Sequence, residues 1–292
     1  MLTTLLRDFW AKTCQRLRWR TASVRVLPDF VILGGMKCGT TSFCETLVQH
    51  PQIVAAQFKE AHYFDHNYVH GLWCYRSVFP LAPYMLGKKL LTGRPVLTGE
   101  ATPYYLFHPH VPCRLHAVLP QAKLIALLRD PVERAYSHYR HNRLRKLESL
   151  SFDEALAAED ERLRGDRERL VRNELELSDN YRNYSYVARG IYVDQLAAYF
   201  ALFPREQVLI LKAENYFADP AQTIRQVLAF LGLGDELPTS MTMPGQVRPQ
   251  PAPAGAAARL CSMFAPHNER LYQYLGADFK WDRQPAVRGR AA

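Results

Sequence analysis

No stretch of this chain approaches the roughly 18 consecutive apolar residues that a helix needs to cross a membrane. Arg7 and Asp8 interrupt the apolar positions Leu2, Leu5 and Leu6, which argues against a signal peptide or signal anchor. The six cysteines (Cys14, Cys38, Cys44, Cys74, Cys113, Cys261) include no C-x-x-C pair, and no histidine stands at zinc spacing from them. That pattern argues for reduced, mostly buried thiols and against a disulfide framework or a zinc module. Repeats and clear linkers are absent too, so the 292 residues are expected to form one domain with a sizeable core. These absences lead us to expect a cytoplasmic protein that needs no metal. No pattern in the chain speaks to its oligomeric state.

What is present is ordinary globular composition with an excess of cations. Hydrophobic residues make up 48% and charged residues 22%, and the net charge of +9 suits a polyanion without identifying it. A nucleic acid, an acidic membrane, a sulfated sugar or a multiply charged nucleotide all satisfy the sign. Near the start, Leu, Phe and Trp positions are interleaved with Lys12, Arg16, Arg18 and Arg20. That segment could form a basic amphipathic helix in weak peripheral contact with a membrane; a solvated extension is the plainer reading. Residues 1–27 are therefore set apart as an extension, 28–283 as the domain and 284–292 as a tail.

Apolar, β-rich runs at 30–34, 95–99, 123–128 and 207–212 alternate with helical patterns at 41–50, 131–147 and 220–231. Several runs are almost continuously apolar, which predicts an α/β domain with a central parallel sheet flanked by helices. Asp219-Pro220 reads as an N-cap and first helical position, with Gly232 as the stop. The dense mixed charge of 151–189 reads as a solvated helix or mobile lid. Prolines and glycines predict an irregular loop over 238–253, and Leu260, Phe264, Leu271 and Leu275 a last helix.

The run Gly35-Met36-Lys37-Cys38-Gly39-Thr40-Thr41-Ser42 follows a strand and opens a helix. Backbone N–H groups and the positive helix end would converge there on a phosphate. Lys37 adds a mobile cation, and Thr40, Thr41 and Ser42 add hydroxyls. In nucleotide hydrolases the lysine follows the last glycine and precedes Ser or Thr. Here it precedes Gly39 by two residues, which removes the usual magnesium-binding arrangement. Leu128-Arg129-Asp130-Pro131 repeats the logic at the end of another strand. Arg129 offers a bidentate fork to an anion, and Ser137, two turns along the next helix, could face the same anion. Two anion sites suit a nucleotide phosphorylated at both ends.

Glu60, His62 and Asp65 supply carboxylates and an imidazole within one short segment. An extended backbone would put Glu60 and His62 on one side, although Glu60 could simply pair with Lys59 at the surface. Glu100 and Thr102 follow another buried strand and could line an acceptor cleft.

In order along the chain, Lys37 to Ser42, Lys59 to Asp65, Gly71 to Pro80, Gly99 to Tyr105, Leu128 to Ser137, Tyr192 to Pro204, Phe230 to Leu233 and Gly276 to Trp281 resemble a known family. It is the 3′-phosphoadenylyl-sulfate-dependent sulfotransferases, above all bacterial members and the heparan sulfate and other carbohydrate sulfotransferases. The resemblance implies 3′-phosphoadenosine-5′-phosphosulfate (PAPS) as donor, adenosine 3′,5′-bisphosphate (PAP) as product, and no metal. It implies that Lys37, Cys38, Gly39, Thr40, Thr41 and Ser42 hold the 5′ end of the donor, and that Arg129 and Ser137 hold its 3′-phosphate. Tyr192 would lie near the adenine and Arg248 would reach the 3′-phosphate. Lys37 would assist the leaving phosphate, and Glu60 would act as general base, with His62 the alternative.

The implied acceptor carries a hydroxyl, on a carbohydrate, lipid, peptide or small metabolite, and is not a nucleic acid. Its cleft would include Glu60, Asp65, Glu100 and Thr102. One departure bears on it: the heparan sulfate enzymes carry lysine where this chain has Ala101, which weighs against a heparan-like acceptor. A nucleotide kinase of the related fold would need magnesium ligands and a lysine after Gly39. A non-enzymatic polyanion-binding module would need exposed aromatic and basic residues interleaved.

Overall fold

The computed structural model describes residues 17–175, 177–238, 240–241 and 250–281. Most of the expected extension, the tail and Arg248 lie outside the described residues. Five strands pair in parallel in the order β2-β3-β1-β4-β5: β1 Phe30–Gly34, β2 Ile53–Ala55, β3 Leu97–Ala101, β4 Lys123–Leu128 and β5 Val208–Lys212. Every residue of β1 is buried, and alternate side chains enter opposite layers. Val31 and Leu33 join Leu124, Ala126 and Leu128 in one core cluster; Phe30 and Ile32 join Ile125 and Leu127 in the other. Continuous apolarity in these strands therefore has a simple cause, since both faces of the sheet are covered. The expected α/β architecture is the one observed.

The helices used below are α1 Thr40–Leu47, α2 Val111–Val118, α3 Pro131–Leu144, α4 Tyr192–Phe200, α5 Pro220–Leu231 and α6 Ala254–Leu275. At α5 the Asp219 side chain accepts from Gln222 N at 2.9 Å, and Gly232 ends the helix at φ 78°, as the sequence predicts. Two helices end earlier than expected. After α1, Gln49 and His50 close tighter turns onto Thr46 and Leu47 ahead of Pro51, which disfavours helical backbone before it. After α3, Lys146 turns to φ 59° and Leu147 N returns to Asn142 O at 2.9 Å. The last helix starts six residues before the expected Leu260. It buries Ala256, Leu260, Phe264 and Asn268 at four-residue spacing and continues past the exposed Pro266.

The segment 151–189 departs most from expectation. It is neither one solvated helix nor a detached lid, because its described residues pack down as four short helices, Phe152–Ala157, Glu159–Leu163, Asp166–Val171 and Asp179–Asn183. Phe152, Ala155, Leu170 and Tyr181 are buried. The buried Glu159 carboxylate accepts from Val187 N at 2.7 Å and Ala188 N at 2.9 Å. The charge run is the outer side of a packed layer.

Gly34 lets β1 turn into the following loop. Its φ is 102°, and a Cβ there would stand 2.5 Å from the Pro103 Cα and 2.6 Å from its carbonyl oxygen. Backbone on the far side cannot swing away as a side chain could. Gly34→Ala should lower the unfolding free energy by roughly 2–4 kcal/mol in urea titrations. Gly87→Ala, in a helix with open space around it, should be neutral or stabilising by up to about 1 kcal/mol. Matching midpoints for the two variants would mean that the Pro103 backbone yields.

Candidate active site

Sequence order reverses across the sheet between β1 and β4, and in such sheets ligands occupy the crevice beyond the strand ends. Both phosphate-type motifs open there. Gly35 N donates to Leu127 O at 2.5 Å, tying the first loop to the end of β4. Lys37 and Gly39 turn through positive φ (67° and 85°), and α1 starts at Thr40. The first-turn N–H groups, which no intrahelical carbonyl can accept, point back into the loop. Ser42 Oγ donates to Gly39 O at 3.1 Å and secures the turn.

Arg129 leaves the end of β4 and donates to the Lys37 carbonyl at 3.3 Å, so the two motifs form one pocket. Arg129 also pairs with Glu133 at 3.3 Å and lies 6.0 Å from the centre of the Phe217 ring. Ser137 shares the Glu133 face of α3, one turn further on. Asp130 caps that helix by accepting from Val132 N and Glu133 N; burial pushes its pKa up to about 6. Burial also lowers the pKa of Lys37, and the neighbouring charges of Arg129 and Lys59 push the same way. Three cations thus crowd one crevice.

Two of the expected donor residues have other occupations. The Cys38 thiol is fully buried, which pushes its pKa up to about 11 and leaves it a packing group. The buried Tyr192 hydroxyl donates to Arg129 O at 2.9 Å while its ring packs near Trp281. Tyr192 braces the strand end from within the core.

The second half of the site follows β2. Glu60 N donates to Ala101 O at 3.0 Å, while Tyr63 N and Phe64 N donate to the Tyr105 hydroxyl at 2.8 and 3.3 Å. Arg114 on α2 donates to the carbonyls of Phe64 and Asp65, each at 2.9 Å. Clamped in this way, Glu60 and His62 take positive φ values of 63° and 50°. The extended backbone expected for them is not found, yet their side chains meet, with His62 Nε2 3.4 Å from Glu60 Oε2. His62 Nδ1 lies 2.7 Å from Asp65 Oδ2. Hydrogen bonding from His62 is the main reason the Glu60 pKa falls to about 2, with Lys59 helping against the cost of burial. For His62 burial opposes the charge, but Asp65 and Glu60 outweigh it and raise the pKa to about 9. The resting pair is a carboxylate and an imidazolium.

Lys59 was not singled out from the sequence, beyond its place beside Glu60. Its Nζ donates to Thr41 Oγ1 at 2.7 Å and to Glu60 Oε1 at 3.1 Å, joining the two halves of the site. Tyr105 and Arg114 were missed too; no local pattern marks a clamp across tens of residues.

Glu100 and Thr102 correct an expectation. Both are buried, at 3% and 0% exposure, so neither side chain faces an acceptor. Glu100 accepts from Tyr75, Thr102 and Tyr105 hydroxyls at 2.5, 3.2 and 3.4 Å. Burial still raises its pKa to about 7. It supports Tyr105, which in turn holds the Glu60 loop.

A cavity of about 400 Å³ opens beside Glu60 and His62, lined also by Phe58, Tyr63, His66 and Arg182. A cavity of similar size lies at the opposite end of the sheet, lined by Asp29, Leu97 and Lys123, away from both strand-to-helix loops. Among the described residues, His62, Asp65 and His66 form the group whose ligand atoms, all within 4.8 Å, could hold a metal ion; two of them already serve the Glu60 network.

Residues 27–243 match the sulfotransferase domain family. The chain is 32% identical over 282 residues to human heparan sulfate glucosamine 3-O-sulfotransferase 6, covering 88% of this chain and 74% of that protein. It is 28% identical over 326 residues to the membrane-associated sulfotransferase kil1 of Dictyostelium discoideum, covering 87% of this chain and 66% of that one. The crystal structure of a sulfotransferase from Alicyclobacillus acidocaldarius superposes with a TM-score of 0.66 at 32% identity, covering 88% of this chain and all of that one.

The folded pKa of His62, about 9, stands above its ordinary 6.5. Its charge therefore stabilises the fold fully below pH 6.5, and that stabilisation is lost as pH rises through about 9. The melting temperature of the wild type should fall across this window, and His62→Asn should flatten the decline. An unchanged slope in the variant would mean that the imidazole carries no proton at neutral pH.

Proposed function

The chain belongs to the sulfotransferase family and is a sulfotransferase, and on that premise we propose that it moves a sulfuryl group from PAPS to a carbohydrate hydroxyl with Glu60 as base. The observation that carries the proposal is the Lys59 bridge, which sets the half-exposed Glu60 carboxylate one cation away from the phosphate loop. The loop amides, Lys37 and the hydroxyls of Thr40 and Thr41 take the 5′-phosphosulfate, and Arg129 with Ser137 takes the 3′-phosphate. Arg248 is assigned a part in the same contact.

Transfer is an in-line displacement. The acceptor oxygen forms a bond to sulfur as the bond from sulfur to the bridging phosphate oxygen breaks, and the electron pair stays on PAP. Lys37 and Lys59 stand where that charge grows, and stabilising it lowers the barrier. Glu60 takes the hydroxyl proton. Held at about 2 by His62 and Lys59, it is a weak base at rest. As negative charge builds on the leaving phosphate, Lys59 is drawn toward Thr41 and the loop, and the basicity of Glu60 rises when the proton must be taken. His62, fixed by Asp65, keeps the carboxylate aimed. The cavity holding Glu60 and His62 also presents Arg182, which suits an acceptor that already bears anionic groups. Ala101 is buried and adds no cation there.

PAP at 100 times its dissociation constant should stabilise the protein by about 2.7 kcal/mol, whereas ATP with magnesium should stabilise it far less. A melting shift with ATP and none with PAP would sink the donor assignment. Glu60→Gln should lower turnover by about 10²–10⁴-fold while leaving PAP binding intact. Undiminished turnover in that variant would transfer the base to His62 or to solvent.

A further inference from the structure

Outside the site, one helix has no partner among the described residues for most of its surface. Ala82–Thr92 buries Met85 alone, while Tyr84, Leu86, Leu90 and Leu91 are 55%, 57%, 74% and 89% exposed. At about 100° per residue, Leu86, Leu90, Pro83, Gly87, Leu91 and Tyr84 fall within an arc of about 160°. Lys88 and Lys89 stand at its two borders, between the apolar arc and the buried side. Leu91, 89% exposed within such an arc, is not the scattered apolar residue common on protein surfaces.

The surroundings continue the pattern. The stretch 17–26 runs beside the chain that enters this helix: Arg18 Nε donates to Ser77 O at 2.7 Å, Val26 N to Pro80 O at 3.1 Å, and Arg25 bridges to Leu81. It exposes Leu17, Trp19 and Val24 at 50% or more. The short helix Gly71–Arg76 packs against the same stretch and exposes Trp73 at 59%. Charge decides what such a surface meets. From His66 to Gly99 the sequence has Arg76, Lys88, Lys89 and Arg94 and not one Asp or Glu; residues 17–28 likewise carry only arginines. Glu236, from elsewhere in the chain, pairs with Arg94 at 3.1 Å just past the helix end. Apolar arcs bordered by lysines, with tryptophans beside them, are the chemistry of a protein lying in the headgroup region of an anionic bilayer.

We propose that the face formed by Ala82–Thr92, together with Trp19 and Trp73, docks on an anionic lipid surface. Leu86, Leu90 and Leu91 enter the acyl boundary, and Lys88 and Lys89 snorkel to the phosphates. This is independent of the donor and base assignments. It bears on them through Gly71–Arg76, which gives Trp73 to this face and Cys74 and Tyr75 to the cavity beside Glu60. Docking would hold the mouth of that cavity near the lipid boundary.

The test is sedimentation of the full chain with vesicles of phosphatidylcholine containing about a quarter phosphatidylserine. Binding should fall several-fold on phosphatidylcholine alone or in about 0.5 M salt. The triple variant Leu86→Ser/Leu90→Ser/Leu91→Ser should partition about tenfold or more weakly. These side chains touch solvent, so its melting temperature and its response to PAP should match the wild type. Undiminished vesicle binding by the variant would overturn the proposal, as would a wild type that ignores anionic vesicles. So would a concentration-dependent dimer in light scattering that the variant abolishes, since the face would then belong to a second copy of the chain.

Discussion

The parallel pairing of β1 with β4 is the constraint on which the site depends. Neighbouring strands lie about 4.8 Å apart, so the loops that leave them emerge side by side, and Arg129 reaches the Lys37 carbonyl. The like charges of Lys37, Lys59 and Arg129 oppose their meeting. They are held there by the burial of Val31, Leu33, Ala126 and Leu128 on one side of the sheet and Phe30, Ile32, Ile125 and Leu127 on the other. Hydrophobic packing thus sustains a concentration of positive charge that an anion relieves on arrival.

Two carboxylates near the site meet opposite fates, and the difference lies in what surrounds them. Glu60 is half-exposed and faces a lysine and an imidazolium, and its proton is lost well below the usual range. Glu100 is wholly buried and receives only neutral hydroxyls; these do not overcome its desolvation, and it is left near neutrality. Hydrogen bonds from ionised donors outweigh burial in one place and neutral ones fail to in the other.

Strands β1, β4 and β5 and both strand-to-helix loops were legible because each leaves a local mark; the three-residue β2 was not expected, and β3, which carries Thr98, Gly99 and Glu100, begins two residues after the expected run. Burial on two faces writes a continuous apolar run, and a glycine-bearing loop between strand and helix is its own signature. Arg129 could be assigned to the crevice because it ends such a run. The coupling between the halves was not legible: Lys59 and Thr41 are 18 residues apart, and their contact depends on how two loops fold over one strand edge. Glu60 and His62 were expected to face each other through extended backbone and do so through left-handed backbone, since Ala101, Tyr105 and Arg114 fix the loop from outside it. Between 151 and 189 the few apolar positions, Phe152, Ala155, Leu170 and Tyr181, were hidden among charges, so packing there left too faint a period to read.

Among the described residues, six that are not glycine have positive φ, and Lys37, Glu60 and His62 are three of them. Each conformation costs on the order of 1 kcal/mol or more for a side-chain-bearing residue. Random drift to glycine at these positions would relax the backbone and erase the charge in the same step. The molecule is therefore held away from its own stability optimum at the place where it works, and its tolerance for damage elsewhere is correspondingly smaller.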